Sequence, residues 1–136
     1  MKFKGKIGVI WKSFLILVNV IFVWVLVVDE KIGERILFVV LWILIDALFF
    51  IMTTRSYVEL DNSSLTAVLG LQKCRIEYRD IISLKETNDP IASFGLSIDR
   101  IGIESRTGYV LVSVKEKEKF MAELKRRNSE IVIKSK

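Results

Sequence analysis

Two stretches of the chain carry side chains that could do chemistry. The first is a pair of polar residues, Asn19 and Asp46, each set inside an otherwise apolar run. A carboxylate among Leu, Ile and Phe is costly, so it either handles an ion or proton or is held by a partner. Asn19 is the nearest such partner. The second stretch runs from Asn88 to Arg100. Here Asn88, Asp89, Pro90, Ser93, Phe94, Ser97, Asp99 and Arg100 combine a Pro-fixed turn, hydroxyls, an aromatic ring and both signs of charge. That mixture suits a partner-binding loop. The same residue types are also the ordinary turn formers, because Asn, Asp and Ser side chains bond nearby backbone. At both stretches the structural role outweighs the functional one.

Neither stretch amounts to a catalytic centre. The 136 residues include no histidine, which removes the commonest general base at neutral pH and the commonest metal ligand. The single cysteine, Cys74, cannot form an intrachain disulfide. With no imidazole to activate it, it reads as a small hydrophobe on a strand, and a reducing compartment suits it. Gly5 and Gly8 lack the strand-to-helix setting and the Lys-Ser/Thr of a phosphate loop. No catalytic residue, metal or cofactor is expected. Of the net charge of +5, residues 55–136 contribute +3, from fifteen Lys/Arg and twelve Asp/Glu of mixed order, unlike the one-sided basic footprint of a nucleic-acid binder. Lys115–Arg127 is basic but interleaved with Glu116, Glu118 and Glu123, as on a solvated helix face.

The polar pair needs two elements to hold it. Phe14–Val28 and Ile36–Met52 are apolar on every side, so neither has the polar face of a helix in a soluble bundle. They read as transmembrane helices joined by the short loop 29–35. The first is long enough to span once its start moves back toward Ile7. That extension requires Lys12 to snorkel its ammonium toward the headgroups and puts Trp11 in the interfacial belt. No Ala-x-Ala-like site follows Val28, which argues against a signal peptide. Lys2, Lys4, Lys6 and Lys12 precede the first helix and Arg55 follows the second, so both termini are expected in the cytoplasm. Counted from Phe14 and Met52, Asn19 and Asp46 lie about 9–10 Å deep and within reach of each other. Residues 1–13 read as a basic cytoplasmic tail. Thr53–Ser56 spans at most about 14 Å, which keeps the rest of the chain at the bilayer.

From Tyr57 the pattern turns to short β runs separated by turn residues. Strands are expected at Tyr57–Leu60, Leu65–Leu69, Cys74–Tyr78, Ile81–Thr87, Ile101–Ser105 and Tyr109–Ser113, with a weaker one at Phe94–Ile98. Ser113 and Glu116 have capping-box spacing. Phe120, Met121 and Leu124 then form one apolar helical stripe ending near Asn128. The expected fold is a bent antiparallel sheet or barrel of about six or seven strands, closed by one C-terminal helix.

Three runs carry a family resemblance: Ile76-Glu77-Tyr78-Arg79-Asp80-Ile81, Glu86-Thr87-Asn88-Asp89-Pro90-Ile91-Ala92-Ser93, and Leu96-Ser97-Ile98-Asp99-Arg100-Ile101. Together with Ser113, Phe120, Leu124 and Asn128, they resemble the YyaB-like bacterial PH-domain family over about Tyr57–Ile133. The departure is Val114, where the family pattern has Pro in the first helical turn. The resemblance implies a PH-like cytoplasmic domain at 57–133 behind a membrane hairpin at 14–28 and 36–54. It does not imply phosphoinositide binding: Tyr57–Gly70, taken as the first hairpin of the fold, has Glu59 and Asp61 and no Lys or Arg to pair with a phosphate.

The function expected from all this is a non-catalytic, membrane-tethered PH-like interaction module at the inner face of a bacterial cytoplasmic membrane. Its lipid bilayer partner is explicit, its protein partner is not identified, and the hairpin allows a homo-oligomer. Two alternatives are an immunity protein against a membrane-active peptide and a small oligomeric ion- or proton-handling protein using Asp46.

Overall fold

The computed structural model describes residues 1–28, 32–89 and 96–134. It opens on an element that the sequence does not predict, strand β1 at Lys2–Lys4. Helices α1 (Val9–Val28) and α2 (Ile32–Thr54) follow. The strands after them are β2 (Ser56–Leu60), β3 (Ser64–Leu69), β4 (Gln72–Glu77) and β5 (Ile81–Thr87), with one turn of 3-10 helix at Tyr78–Asp80 before β5. Then come β6 (Arg100–Ser105), β7 (Gly108–Val112), helix α3 (Lys117–Arg127) and β8 (Val132–Lys134).

The strands form two four-stranded sheets, ordered β1-β2-β3-β4 and β7-β6-β5-β8. All neighbours are antiparallel except β8, which runs parallel to β5. Alternation puts Val58, Leu60, Leu65, Ala67, Ile76, Leu84, Ile101, Ile103 and Val112 inside, because successive strand residues face opposite sides. Helix α3 closes the core with Phe120, Met121 and Leu124, whose spacing shares one helical face. Phe3 of β1 is 3% exposed and meets Phe120 edge to face at 5.3 Å. Cys74 is half-buried on β4 and packs against this core.

Beyond β1 the chain joins the two sheets. Gly5 pairs antiparallel with Val114; the Lys6 N–H donates to Ser113 O at 3.1 Å, and the Lys115 N–H to Lys4 O at 3.1 Å. Ile7 then pairs with Leu96, and the Gly8 N–H donates to Leu96 O at 2.9 Å. The segment therefore lies between β2 and the chain leaving β7. A Cβ on Gly5 would stand 2.2 Å from Ser56 Oγ and 2.8 Å from its backbone oxygen, so only glycine passes. The hairpin leaves the barrel after Gly8 and returns through Arg55, the one residue between α2 and β2.

This corrects several expectations. Residues 1–8 are barrel wall rather than a basic tail. The first hairpin of the fold is β1–β2 with α1 and α2 inserted in it, so Tyr57–Gly70 is the second. Helix α2 takes in residues 32–35, assigned above to the loop; residues 29–31 lie outside the described residues. Ser113 does not cap α3. Strand pairing with Lys6 claims it, its hydroxyl donates to Asp99 O at 3.0 Å, and α3 begins at Lys117. Val114, expected in the first helical turn, is buried opposite Gly5. The described part of the weak strand at 94–98 reduces to Leu96 pairing with Ile7, followed by a bend.

Helices α1 and α2 pair through aromatic side chains. At their base Trp11, Phe14 and Phe49 pack with centroids 5.6–5.8 Å apart, and Trp11 Nε1 donates to Thr53 Oγ1 at 3.1 Å. Further along, Phe22 stacks on Trp42 and meets Phe38. Both helices are long and apolar enough to cross a membrane, and none of the apolar window in either is buried within the protein.

The placement of Phe3 is directly testable. Phe3→Ala removes a ring from a closed core and is expected to cost about 3–5 kcal/mol in denaturant unfolding of the detergent-solubilised protein. A loss under about 0.5 kcal/mol, typical of an exposed residue, would return β1 to a free tail.

Candidate functional site at the hairpin and its junction with the barrel

The hairpin meets the barrel at Asp99. Its Oδ2 accepts from Lys6 Nζ at 2.5 Å and its Oδ1 from Lys117 Nζ at 2.6 Å. Lys117 also reaches Glu86 Oε2 at 2.9 Å. One carboxylate therefore joins the segment leading into α1, the first turn of α3 and, through Lys117, the end of β5. The hydrogen bond from Lys117 holds the Asp99 carboxyl below the usual aspartate range, helped by the one from Lys6. The Asp99 bond in turn raises Lys117. With an ammonium on each oxygen, Asp99 acts as a clasp between the two lysines.

The neighbouring residues are spent in the same way. The Asp99 N–H donates to Ser97 Oγ at 3.3 Å, and Arg100 Nε donates to Ser97 O at 2.5 Å. Arg100 is buried; burial lowers its pKa, partly offset by the charge of Asp89. The Asp89 N–H donates to Thr87 Oγ1 at 3.2 Å, and Asn88 is exposed beside it. Pro90, Ser93 and Phe94 lie outside the described residues. The structure thus brings Ser97, Asp99 and Arg100 into a junction whose main partners, Lys6, Glu86 and Lys117, the sequence does not single out. Lys6 and Asp99 are 93 positions apart, and no local pattern links them.

The second polar group lies within the hairpin. Asn19 Nδ2 donates to Asp46 Oδ1 at 3.2 Å and to Leu15 O at 3.1 Å. Trp42 Nε1 donates to Asn19 Oδ1 at 3.1 Å. Trp42 and Asp46 are four apart on α2 and share a face, so Asn19 serves both. Because α1 starts at Val9, Asn19 lies about 15 Å along its helix, deeper than the count from Phe14 gives. Spacing alone misses Trp42, because an indole in an apolar run looks like packing.

At the far end of the barrel, an open cleft of about 480 Å³ is lined by Ser63, Glu77, Tyr78, Arg79, Arg127, Asn128 and Glu130. Its groups brace the fold: Tyr78 OH and Arg127 both donate to Asp61 O at 2.6 Å, and Asn128 Nδ2 donates to Tyr78 O at 2.8 Å. Among the described residues no group of three or more Cys, Asp or Glu is placed to hold a metal ion.

The clasp sets a pH dependence. A carboxyl whose folded-state pKa is depressed adds stability above its unfolded pKa and loses it as pH falls through the folded value. The stability difference between the wild type and Asp99→Asn is therefore expected to be full at neutral pH and to shrink below about pH 4, the ordinary aspartate range. Thermal unfolding of both proteins across that range checks it. A difference that stays constant with pH would remove the clasp.

Comparison with known proteins adds the family. No curated protein matches the sequence. Among solved structures, the C-terminal domain of an unknown protein from Leishmania infantum matches with a TM-score of 0.40 and 13% identity, over 53% of this chain. The match spans 66% of that domain's own length. A family model described as the bacterial PH domain matches residues 56–128. That span runs from β2 through α3, more than half of the chain, and the protein belongs to the bacterial PH domain family.

Proposed function

We propose that the protein is a non-catalytic PH-like interaction module, anchored by its hairpin at the inner face of a bacterial cytoplasmic membrane, where it presents its barrel to a protein partner. The observation that carries this is the insertion of α1 and α2 between two paired strands. Each helix leaves about 20 apolar residues uncovered by protein, the length of one bilayer crossing. A cleaved leader fits poorly, because cleavage behind α1 would carry off β1 and Phe3 with it. Both arms enter one barrel, so both ends of the chain lie on the same side of any bilayer the hairpin crosses. The lysines before α1 and Arg55 after α2 make that side the cytoplasm.

The Asn19–Asp46–Trp42 bonds favour a packing role for the polar pair over ion handling, since its carboxylate is already engaged by the facing helix. Of the described residues in 88–100, Ser97, Asp99 and Arg100 enter as positioning residues, and Asn88 and Ile98 are exposed. Within the bacterial PH family, the runs at 76–81, 86–93 and 96–101 favour the YyaB-like members.

Two measurements test the reading. With Cys74→Ser as background, a cysteine at exposed Asn62 is expected to resist a membrane-impermeant maleimide in intact cells and to react once the membrane is opened. Reaction in intact cells overturns the orientation. A photo-crosslinking residue at Asn88 or Ile98 is expected to give a discrete adduct with one cellular protein. Adducts with lipid alone would remove the protein partner.

A further inference from the structure

The turn between β3 and β4 is tied to the end of α2. The Gly70 N–H donates to Arg55 O at 2.8 Å. A Cβ on Gly70 would stand 3.0 Å from Met52 Cγ and 3.4 Å from Met52 Cα. Gly70 has φ +59, the left-handed backbone that a two-residue hairpin turn needs at its first position. Met52 is two residues from the end of α2, about 3 Å along the axis. A turn packed against Met52 is therefore level with the last turn of the apolar helix. If that helix ends at the bilayer surface, the turn sits in the headgroup layer.

The composition of the turn fits that layer. The tip residue is Leu71, 71% exposed, the most exposed large hydrophobic of the described barrel residues. A position usually given to Asn, Asp or Gly here carries an aliphatic side chain that lies outside the core cluster. Arg55 and Lys73 flank it, both exposed, and among the described residues neither pairs with an acid. The cross-strand row behind the tip reads Lys4, Tyr57, Val68, Lys73. It holds two lysines and no carboxylate, and Glu59 comes two rows further from the hairpin. A greasy tip ringed by uncompensated cations complements an anionic lipid surface.

We propose that the β3–β4 turn is a lipid-contacting site, with Leu71 seated in the headgroup layer of an anionic bilayer and Arg55 and Lys73 on its phosphate groups. The proposal rests on the hairpin being membrane-spanning. It adds a third contact, on the barrel itself, beside the two arms.

The test uses the full chain in nanodiscs, on the Cys74→Ser background, with an environment-sensitive fluorophore on a cysteine at one of three positions: Gln72→Cys beside the tip, Asn62→Cys at the opposite end of β3, and Val20→Cys in α1. Quenching by spin-labelled lipids is read in phosphatidylcholine alone and in phosphatidylcholine mixed with phosphatidylglycerol. The expected result is quenching at positions 20 and 72 but not at 62, with the signal at 72 stronger when phosphatidylglycerol is present. Leu71→Asp should abolish the signal at 72. Arg55→Gln and Lys73→Gln should each lower the docked-to-undocked ratio about fivefold, equivalent to about 1 kcal/mol per cation. Quenching at 20 without quenching at 72 overturns the turn contact and leaves the tether intact. A signal at 72 indifferent to phosphatidylglycerol overturns the anionic part. Absence of quenching at 20 overturns the membrane-spanning hairpin and this proposal with it.

Discussion

The pairing of Lys2–Lys4 with Tyr57–Glu59 is the constraint on which the rest of the molecule depends. The 51 residues 5–55, most of them apolar hairpin, separate two strands that must lie side by side. Closing a flexible loop of that length would cost only slowly more than a short one, about 0.6 kcal/mol per doubling. Here most of the intervening chain is helical, and α1 and α2 already bring their ends together through Trp11, Thr53 and Phe49. Helix pairing and strand pairing therefore favour each other. Gly5 is where they meet, since only a residue without a side chain can pass Ser56 and continue to Val114.

Two polar devices hold this geometry, and their surroundings make them work differently. Asn19, Trp42 and Asp46 sit among apolar side chains where water has no place in the proposed bilayer setting. An alternative partner for each group is then scarce, although bonds of this kind in membranes still average only about 0.6 kcal/mol. Their value is in register: they fix which face of α1 meets α2. Asp99 at the junction is partly exposed, with 33% of its side chain accessible, so its two ion pairs are screened by salt and solvent. Its importance lies in position, because it ties the start of α1 to α3 and β5 rather than to a single neighbour.

The strands after Tyr57 were legible because period-two alternation and turn residues such as Asp61-Asn62-Ser63 act locally, and most strands fall within a residue or two of expectation. The Asn19–Asp46 bond was legible for a related reason. Two polar residues in two apolar runs can be matched by counting depth. β1 was not legible. Lys2-Phe3-Lys4 offers one apolar residue between two lysines, which is also what a basic flank looks like, and its pairing partner lies beyond the whole hairpin. The capping-box spacing at Ser113 misled for the opposite reason: the local signal was genuine, but strand pairing across the seam claimed the same backbone. Of the candidate site, the carboxylate was visible and its lysines were not, because ion pairs between distant positions leave no periodic trace.

A two-point mount differs from a tether in what it can offer a partner. A domain on one flexible linker gains local concentration, set by the linker's reach, but samples many orientations. This barrel leaves Gly8 through a hydrogen-bonded bridge and is rejoined through a single residue, Arg55. Both connections are held by backbone hydrogen bonds, from the Gly8 N–H to Leu96 O and from the Gly70 N–H to Arg55 O, unlike a flexible linker. The barrel's angle to the hairpin is therefore set by backbone pairing at both feet, with the Asp99 clasp beside one of them. On the proposed reading, orientation then becomes part of recognition. A partner would have to approach the face that the mount turns outward, and a membrane-bound partner would also have to hold its own surface at the matching height. Selectivity of that kind needs no large charged pocket, in keeping with a barrel whose described polar groups are mostly bonded to one another.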